Sequence, residues 1–186
     1  RAVVLPNGDP RHKVTILPRG MALGVTWSLP EERHTYSKEY FDDMICRAMG
    51  GRVAEKIVFG HLNSGAANDL EQATSIARRM VREWGMSEAI GPMAWSGSQQ
   101  VFLGEDLMTQ GREYSDETAK LVDSEIFRIL HEQEARATEV LLKYRPALEL
   151  VAEALLERET IDGAEVAQLV QASLDHVQVT EDAHIE

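Results

Sequence analysis

The stretch NSGAANDLEQATSIARRMVREWG, residues 63–85, decides the fold, because it reads as one amphipathic helix with a definite start and stop. At about 100° per residue, Ala66, Leu70, Ala73, Ile76, Ala77, Met80, Val81 and Trp84 fall on one side. Glu71, Ser75, Arg78, Arg79 and Arg82 fall on the other. Gly85 supplies the left-handed stop that helices favour. Asp69 lies inside the apolar stripe, one turn before Ala73 and Ile76. A carboxylate aimed at a core needs a cation, a set of donors or a metal to offset its desolvation.

The same reading extends outward. Upstream, Ser37 caps a helix with Glu39 in its first turn and Phe41, Met44, Ile45, Ala48 and Met49 at helical spacing. Gly50-Gly51 either ends this helix or lets another backbone approach closely. If the helix continues to Gly60, Arg52 and Glu55 project from the same side as Phe41 and Ala48. Further upstream, His12–Leu17 and Met21–Leu29 alternate at period two around Pro18-Arg19-Gly20, which predicts two antiparallel strands. Downstream, residues 86–113 read as a long loop with a short apolar run at 101–103. Ser115 then caps a helix with Ala119, Val122, Ile126, Ile129, Val140 and Tyr144 inward. Pro146 breaks it or starts the next one, in which Leu148, Val151, Ala152, Leu155 and Leu156 face inward. Asp162 and Glu165 resemble a capping box before Val166, Leu169 and Val170. The expected fold class is therefore mainly α with a small N-terminal antiparallel sheet (α+β). Residues 1–175 form the expected domain, and 176–186 a polar, frayed tail.

Composition narrows the function. The 186 residues are 44% hydrophobic and 27% charged, enough for a sizeable core in one domain. A net charge of −12 argues against nucleic acid as a partner. Cys46 is the only cysteine, so there is no disulfide framework; it reads as inert packing in a reducing compartment. No apolar run approaches the ~20 residues that span a bilayer. No signal peptide is visible, and the chain itself reads as soluble.

Several residues carry candidate chemistry, each with a plainer alternative. Asp69 is either an acidic residue held by the helix start or by Arg52, or a metal ligand. Glu55 is either an i,i+3 partner of Arg52, or a carboxylate that accepts the free N–H of a metal-bound histidine. The six histidines form no i,i+4 pair and read as surface or packing residues. The strand around Leu23, Gly24, Val25 and Thr26 is either an ordinary sheet edge or one that accepts an extended peptide by main-chain pairing.

At this point a resemblance emerges. HKVTILPRG at 12–20, ALGVT at 22–26, GGRVAE at 50–55, SGAANDL at 64–70, ARRMVREWGMS at 77–87, GP at 91–92, VFLG at 101–104 and YSDETA at 114–119 resemble the FtsH family, in order and with matching gaps. These are membrane-anchored, ATP-dependent AAA zinc metalloproteases, and the VFLG form is similar to the bacterial branch. The resemblance implies a zincin-like peptidase domain in a homo-hexameric ring below ATPase modules. It implies zinc held by two histidines of a His-Glu-x-x-His helix and by the aspartate that matches Asp69. Glu55 matches a glutamate beside the zinc. The His-Glu-x-x-His lies just upstream of the segment matching 12–20, and none occurs in these 186 residues. Two ligands and the general base are thus expected outside this sequence, and no residue within it is assigned as catalytic.

For the intact protein the resemblance implies an endopeptidase that degrades unfolded or membrane proteins at the cytoplasmic face of the bacterial inner membrane. ATP and Mg²⁺ act only through its ATPase module, and the membrane is reached only through the rest of that protein. An extended substrate is expected to pair along Leu23–Thr26. The competing expectation is a ring-forming interaction module that keeps the helices without the catalytic one.

Overall fold

The 22-residue helix α1, Lys38–Phe59, runs unbroken through Gly50 and Gly51. The computed structural model describes residues 4–7, 11–18, 25–28, 35–95 and 115–182. Ser37 starts α1 by accepting the Tyr40 N–H at 3.3 Å, and Gly60 ends it in the left-handed conformation. Helix α2, Ala67–Arg82, follows a short 3-10 turn at Ser64–Ala66. The Asn63 side chain fixes that turn by accepting the Gly65 N–H at 2.7 Å. After α2 the chain reverses at Gly85, which has φ 60°. A Cβ there would lie 3.5 Å from the Pro92 Cα, so both the backbone angle and the close approach call for glycine.

Helices α3, Asp116–Lys143, and α4, Arg145–Arg158, meet at Tyr144, with Pro146 in the first turn of α4. Ser115 caps α3, accepting the Thr118 N–H at 3.2 Å. Helix α5, Gly163–Asp182, continues through residues expected to form the tail. Asp162 caps it by accepting the Glu165 N–H at 2.8 Å. The reciprocal half of a capping box is not made, because Glu165 pairs with Arg158. The residues at 101–103 lie outside the described set.

The core is built where α1 packs against α2 and α3. Ile45, Met49 and Val53 of α1 meet Ala73, Ala77, Met80 and Val81 of α2 and Val122, Ile129 and Ala137 of α3. Each large side chain buried there contributes about 1.5–3 kcal/mol. A smaller apolar cluster joins Ala154 and Leu155 of α4 to Ile161, Val14 and Val166. Two inward assignments in α4 are corrected. Leu156 is 76% exposed and Ala152 is exposed, while Ala147 and Ala154 turn inward. With apolar residues on more than one face of α4, periodicity alone does not separate Ala152 and Leu156 from Val151 and Leu155, which do turn inward.

The predicted antiparallel pair is present as β1, Arg11–Thr15, and β2, Val25–Ser28. A third strand, β3 at Thr160–Asp162, joins from the C-terminal half and gives the order β2-β1-β3. Val14 sits opposite Thr26 on one side and Ile161 on the other. The corner before β3 is strained. Glu159 has φ 59°, outside the regions comfortable for a residue with a Cβ. Its carbonyl accepts both the Thr15 hydroxyl at 2.9 Å and the Ile16 N–H at 3.0 Å, which hold it in place. The Glu159 side chain is exposed. Glu159→Gly is therefore expected to stabilise the fold by about 0.5 kcal/mol, the relieved left-handed strain outweighing glycine's entropic cost. A lower thermal midpoint would show that the corner is not strained.

Behind α2, the buried hydroxyl of Ser87 donates to Glu125 at 2.6 Å, and Arg128 donates to both Glu125 oxygens at 2.9 Å. The guanidinium first, and the hydroxyl second, hold the Glu125 carboxyl below the usual carboxylate range. This network fastens the loop after α2 to α3.

Candidate metal centre

Asp69 occupies the first turn of α2 with its side chain half-buried. It makes no hydrogen bond or ion pair to the described residues. Arg52, the partner offered by the sequence, turns instead to Glu134 of α3, with Nε 3.5 Å from Oε1. The clamp that would have given Asp69 a purely structural role is therefore absent among the described residues. Its Oδ2 lies 4.0 Å from where a Cβ on Gly51 would be. That is ordinary van der Waals distance, so Gly51 marks where the start of α2 lies beside α1 and leaves the carboxylate uncrowded on that side. Gly50, by contrast, meets nothing within 4 Å.

Glu55 lies one turn beyond Gly51, on the strip of α1 that faces this approach. Its Oε2 is buried and has no hydrogen-bond partner among the described residues. Leaving a buried carboxylate oxygen without a donor costs at least about 1–3 kcal/mol. Arg52 does not supply that donor, so the i,i+3 pairing is not what holds Glu55. An imidazole N–H brought in by a bound ligand set would satisfy it.

Asp69 opens into a cleft of about 560 Å³ between the helices and the sheet. Arg47 and Gly50 of α1, Gln72 of α2, Thr26 of β2 and Leu5 share its walls. Thr26 is exposed, and β2 is an edge strand among the described residues. Of the four residues assigned to peptide pairing, Val25 and Thr26 belong to β2, while Leu23 and Gly24 lie outside the described set. Cys46 also lines the cleft, and burial pushes its thiol up, so it is no ready nucleophile.

No three His, Cys, Asp or Glu side chains converge as a metal cage among the described residues. His61 stacks on Phe59 and His131 meets the Phe127 ring at a tilt of 58°, both histidines being exposed. The residues present nonetheless fit one part of a zinc site. They offer an unclamped carboxylate beside a side-chain-free patch of helix, and a second carboxylate with a buried, unsatisfied oxygen. Sequence reasoning missed Asp43, which is 2% exposed and pairs with Arg136. No single spacing marks it as inward, because the buried residues of α1 spread over more than one face.

Residues 1–169 match the profile of peptidase family M41. The chain is 61% identical over 176 residues to an ATP-dependent zinc metalloprotease FtsH of Acidimicrobium ferrooxidans, covering 94% of this chain and 26% of that protein. It is 48% identical over 173 residues to the ATP-dependent zinc metalloprotease FtsH 3 of Symbiobacterium thermophilum, covering 92% and 28%. It is 45% identical over 179 residues to the ATP-dependent zinc metalloprotease FtsH of Thermotoga maritima, covering 95% and 29%. The chain thus spans between a quarter and a third of the length of these relatives. No helix among the described residues is long and apolar enough to cross a membrane. The profile match, the ordered motifs and the unclamped Asp69 agree, and the chain belongs to peptidase family M41.

Proposed function

We propose that this chain supplies the larger part of the peptidase module of an ATP-dependent zinc endopeptidase, with Asp69 as one of three protein ligands. The observation that carries the proposal is the half-buried carboxylate of Asp69, unpaired and set against Gly51 in an open cleft. A carboxylate oxygen is a normal zinc donor beside two imidazoles. Bound zinc would supply a Lewis acid and a water acidified to a pKa of about 7.

The chain's own residues do the rest by position. Asp69 holds one coordination site and is not a proton carrier. Glu55 accepts the ring N–H of an incoming histidine and fixes its tautomer and plane. The edge strand around Leu23, Gly24, Val25 and Thr26 receives an extended polypeptide by backbone pairing, with Thr26 at the cleft wall. In the whole protein the histidines and general base come from an upstream His-Glu-x-x-His. ATP and Mg²⁺ act in a separate ATPase module, and unfolded chains are the substrate class. A homo-hexameric ring anchored in the bacterial inner membrane, with this module on the cytoplasmic side, completes the reading.

The test is metal depletion of the full-length protein. Chelation is expected to abolish hydrolysis of an unfolded protein while leaving ATP hydrolysis intact, and added zinc to restore it. Full hydrolysis by zinc-free protein would reject the proposal. Full-length protein that hydrolyses no polypeptide in either state would favour a ring-forming interaction module instead.

Glu55→Gln separates orientation from ligation. It keeps a neutral acceptor but removes the charge that strengthens the bond to an imidazole N–H. Zinc affinity is expected to fall about tenfold, with the fold unchanged. Equal affinities in a chelator competition would exclude Glu55 from that role.

A further inference from the structure

Asp43 is used neither by the apolar core nor by the proposed ligand. It is 2% exposed, in the second turn of α1, yet it is a carboxylate. Its Oδ1 lies 2.6 Å from Nη2 of Arg136 on α3, an ion pair with no hydrogen bond aligned to it. Its Oδ2 accepts the backbone N–H of Asn7 at 2.8 Å. A buried ion pair gives little net stability over an apolar pair of the same volume, so stability alone does not account for it. What an apolar pair cannot do is receive a directed N–H.

That N–H belongs to a segment with few other means of holding its place. Residues 4–7 are neither helix nor strand. Leu5 packs on the core, and both Val4 and Leu5 line the cleft that Asp69 opens into. Arg136 is 35% exposed at its side chain, and Ala137 beside it is a buried part of the same cleft wall. One carboxylate therefore ties α1, α3 and the N-terminal segment together at the edge of the candidate metal site.

We infer that Asp43 is a positioning residue: gripped by Arg136 on one oxygen, it holds Asn7 with the other and so fixes the Val4–Asn7 wall of the Asp69 cleft. Its consequence for metal binding rests on the proposed function, because in that reading the histidines reach the site along the chain entering at Val4. The tether itself does not rest on it.

The experiment compares the full-length protein with Asp43→Asn and with the double variant Asp43→Leu/Arg136→Met. The double variant fills the site with apolar groups, strands no charge and leaves the Asn7 N–H without an acceptor. Hydrogen exchange reads the Asn7 amide, chelator competition reads zinc affinity, and ATP hydrolysis reports integrity. In the double variant the Asn7 amide is expected to exchange about tenfold faster, the equivalent of one net hydrogen bond. Zinc affinity is expected to fall about tenfold, at an unchanged rate of ATP hydrolysis.

Unchanged protection of Asn7 overturns the tether. Faster exchange at Asn7 with wild-type zinc affinity overturns the positioning role. Should the double variant lose protection throughout α1 and α3, Asp43→Asn carries the same two readings. Wild-type protein that takes up no zinc would defeat the proposed function and, with it, the positioning role, while the exchange result still decides the tether.

Discussion

Asp69→Ala is expected to leave a full-length protein that is folded and hydrolyses ATP, yet binds no stoichiometric zinc and cleaves no polypeptide. The structure gives a reason to expect loss of function without loss of stability. The Asp69 side chain is half-buried and makes no hydrogen bond or ion pair to the described residues, so its truncation breaks none there. Alanine is a better helix former, while an acidic residue in the first turn gains about 0.3–1 kcal/mol from the helix dipole. These terms nearly cancel, and the stability change should stay within about 0.5 kcal/mol. The metal site fares differently. Two imidazoles without a third protein ligand do not make a catalytic zinc site. Even residues that only orient ligands cost about 10–100-fold in metal affinity when removed, so loss of a ligand should exceed that. Metal content per protomer, hydrolysis of an unfolded protein and the thermal midpoint check the prediction together. Zinc at full stoichiometry in Asp69→Ala would remove this residue from the ligand set. A collapse in thermal midpoint would mean that Asp69 holds the fold, contrary to its lack of partners.

How far the sequence could be read depended on how many neighbours each element has. Helix α2 was legible because it buries one face. Ala73, Ala77, Met80 and Val81 are all fully buried, and Arg78 and Arg79 are exposed as the stripe predicts. Helix α1 was less legible because it packs against both α2 and α3. Its buried residues, Tyr40, Asp43, Ile45, Cys46, Met49 and Val53, spread over more than one face, so no single period marks Asp43 as inward. The strand β3 escaped for another reason. Three residues are too few to show alternation, and its strand character comes from pairing with β1, a long-range contact that local sequence does not encode. Asp162 was recognisable as a helix cap, which it is, but not as the last residue of a strand.

The candidate site divides the same way. A carboxylate inside an apolar stripe marked Asp69, and the ordered motifs gave it a chemical meaning. Whether Arg52 would clamp Asp69 or Glu55 was not decidable from spacing, since the answer lies on α3, at Glu134. The proximity of Gly51 to Asp69 was likewise invisible, because it depends on where the start of α2 meets the middle of α1. The orphaned oxygen of Glu55 is a property of packing and appears only in three dimensions.

Arg136→Met is expected to cost about 3 kcal/mol, the largest stability loss predicted for any single charged side chain here. The cost arises on the partner. Asp43 is only 2% exposed, and without the guanidinium 2.6 Å away its charge keeps just the Asn7 N–H at 2.8 Å. Arg136 itself is 35% exposed at its side chain, so solvent already screens part of its attraction for Asp43 and the low end of the range for broken buried pairs applies. Burial of the methionine returns some apolar contact beside Ala137, which is 3% exposed, but cannot solvate a carboxylate. The second half of the cycle gives the prediction its force. Asp43→Leu on the Arg136→Met background removes the stranded charge and should recover most of the loss, because similar-sized apolar replacements of buried pairs are often neutral or better. Free energies from exchange of the slowest core amides of α1 and α3 in the full-length protein measure both steps. If the double variant is as unstable as Arg136→Met, the loss is one of packing around Arg136. If it recovers, the pair is dispensable for stability, and its place in the second turn of α1 is left to the one thing leucine cannot do, which is to hold the backbone of Asn7.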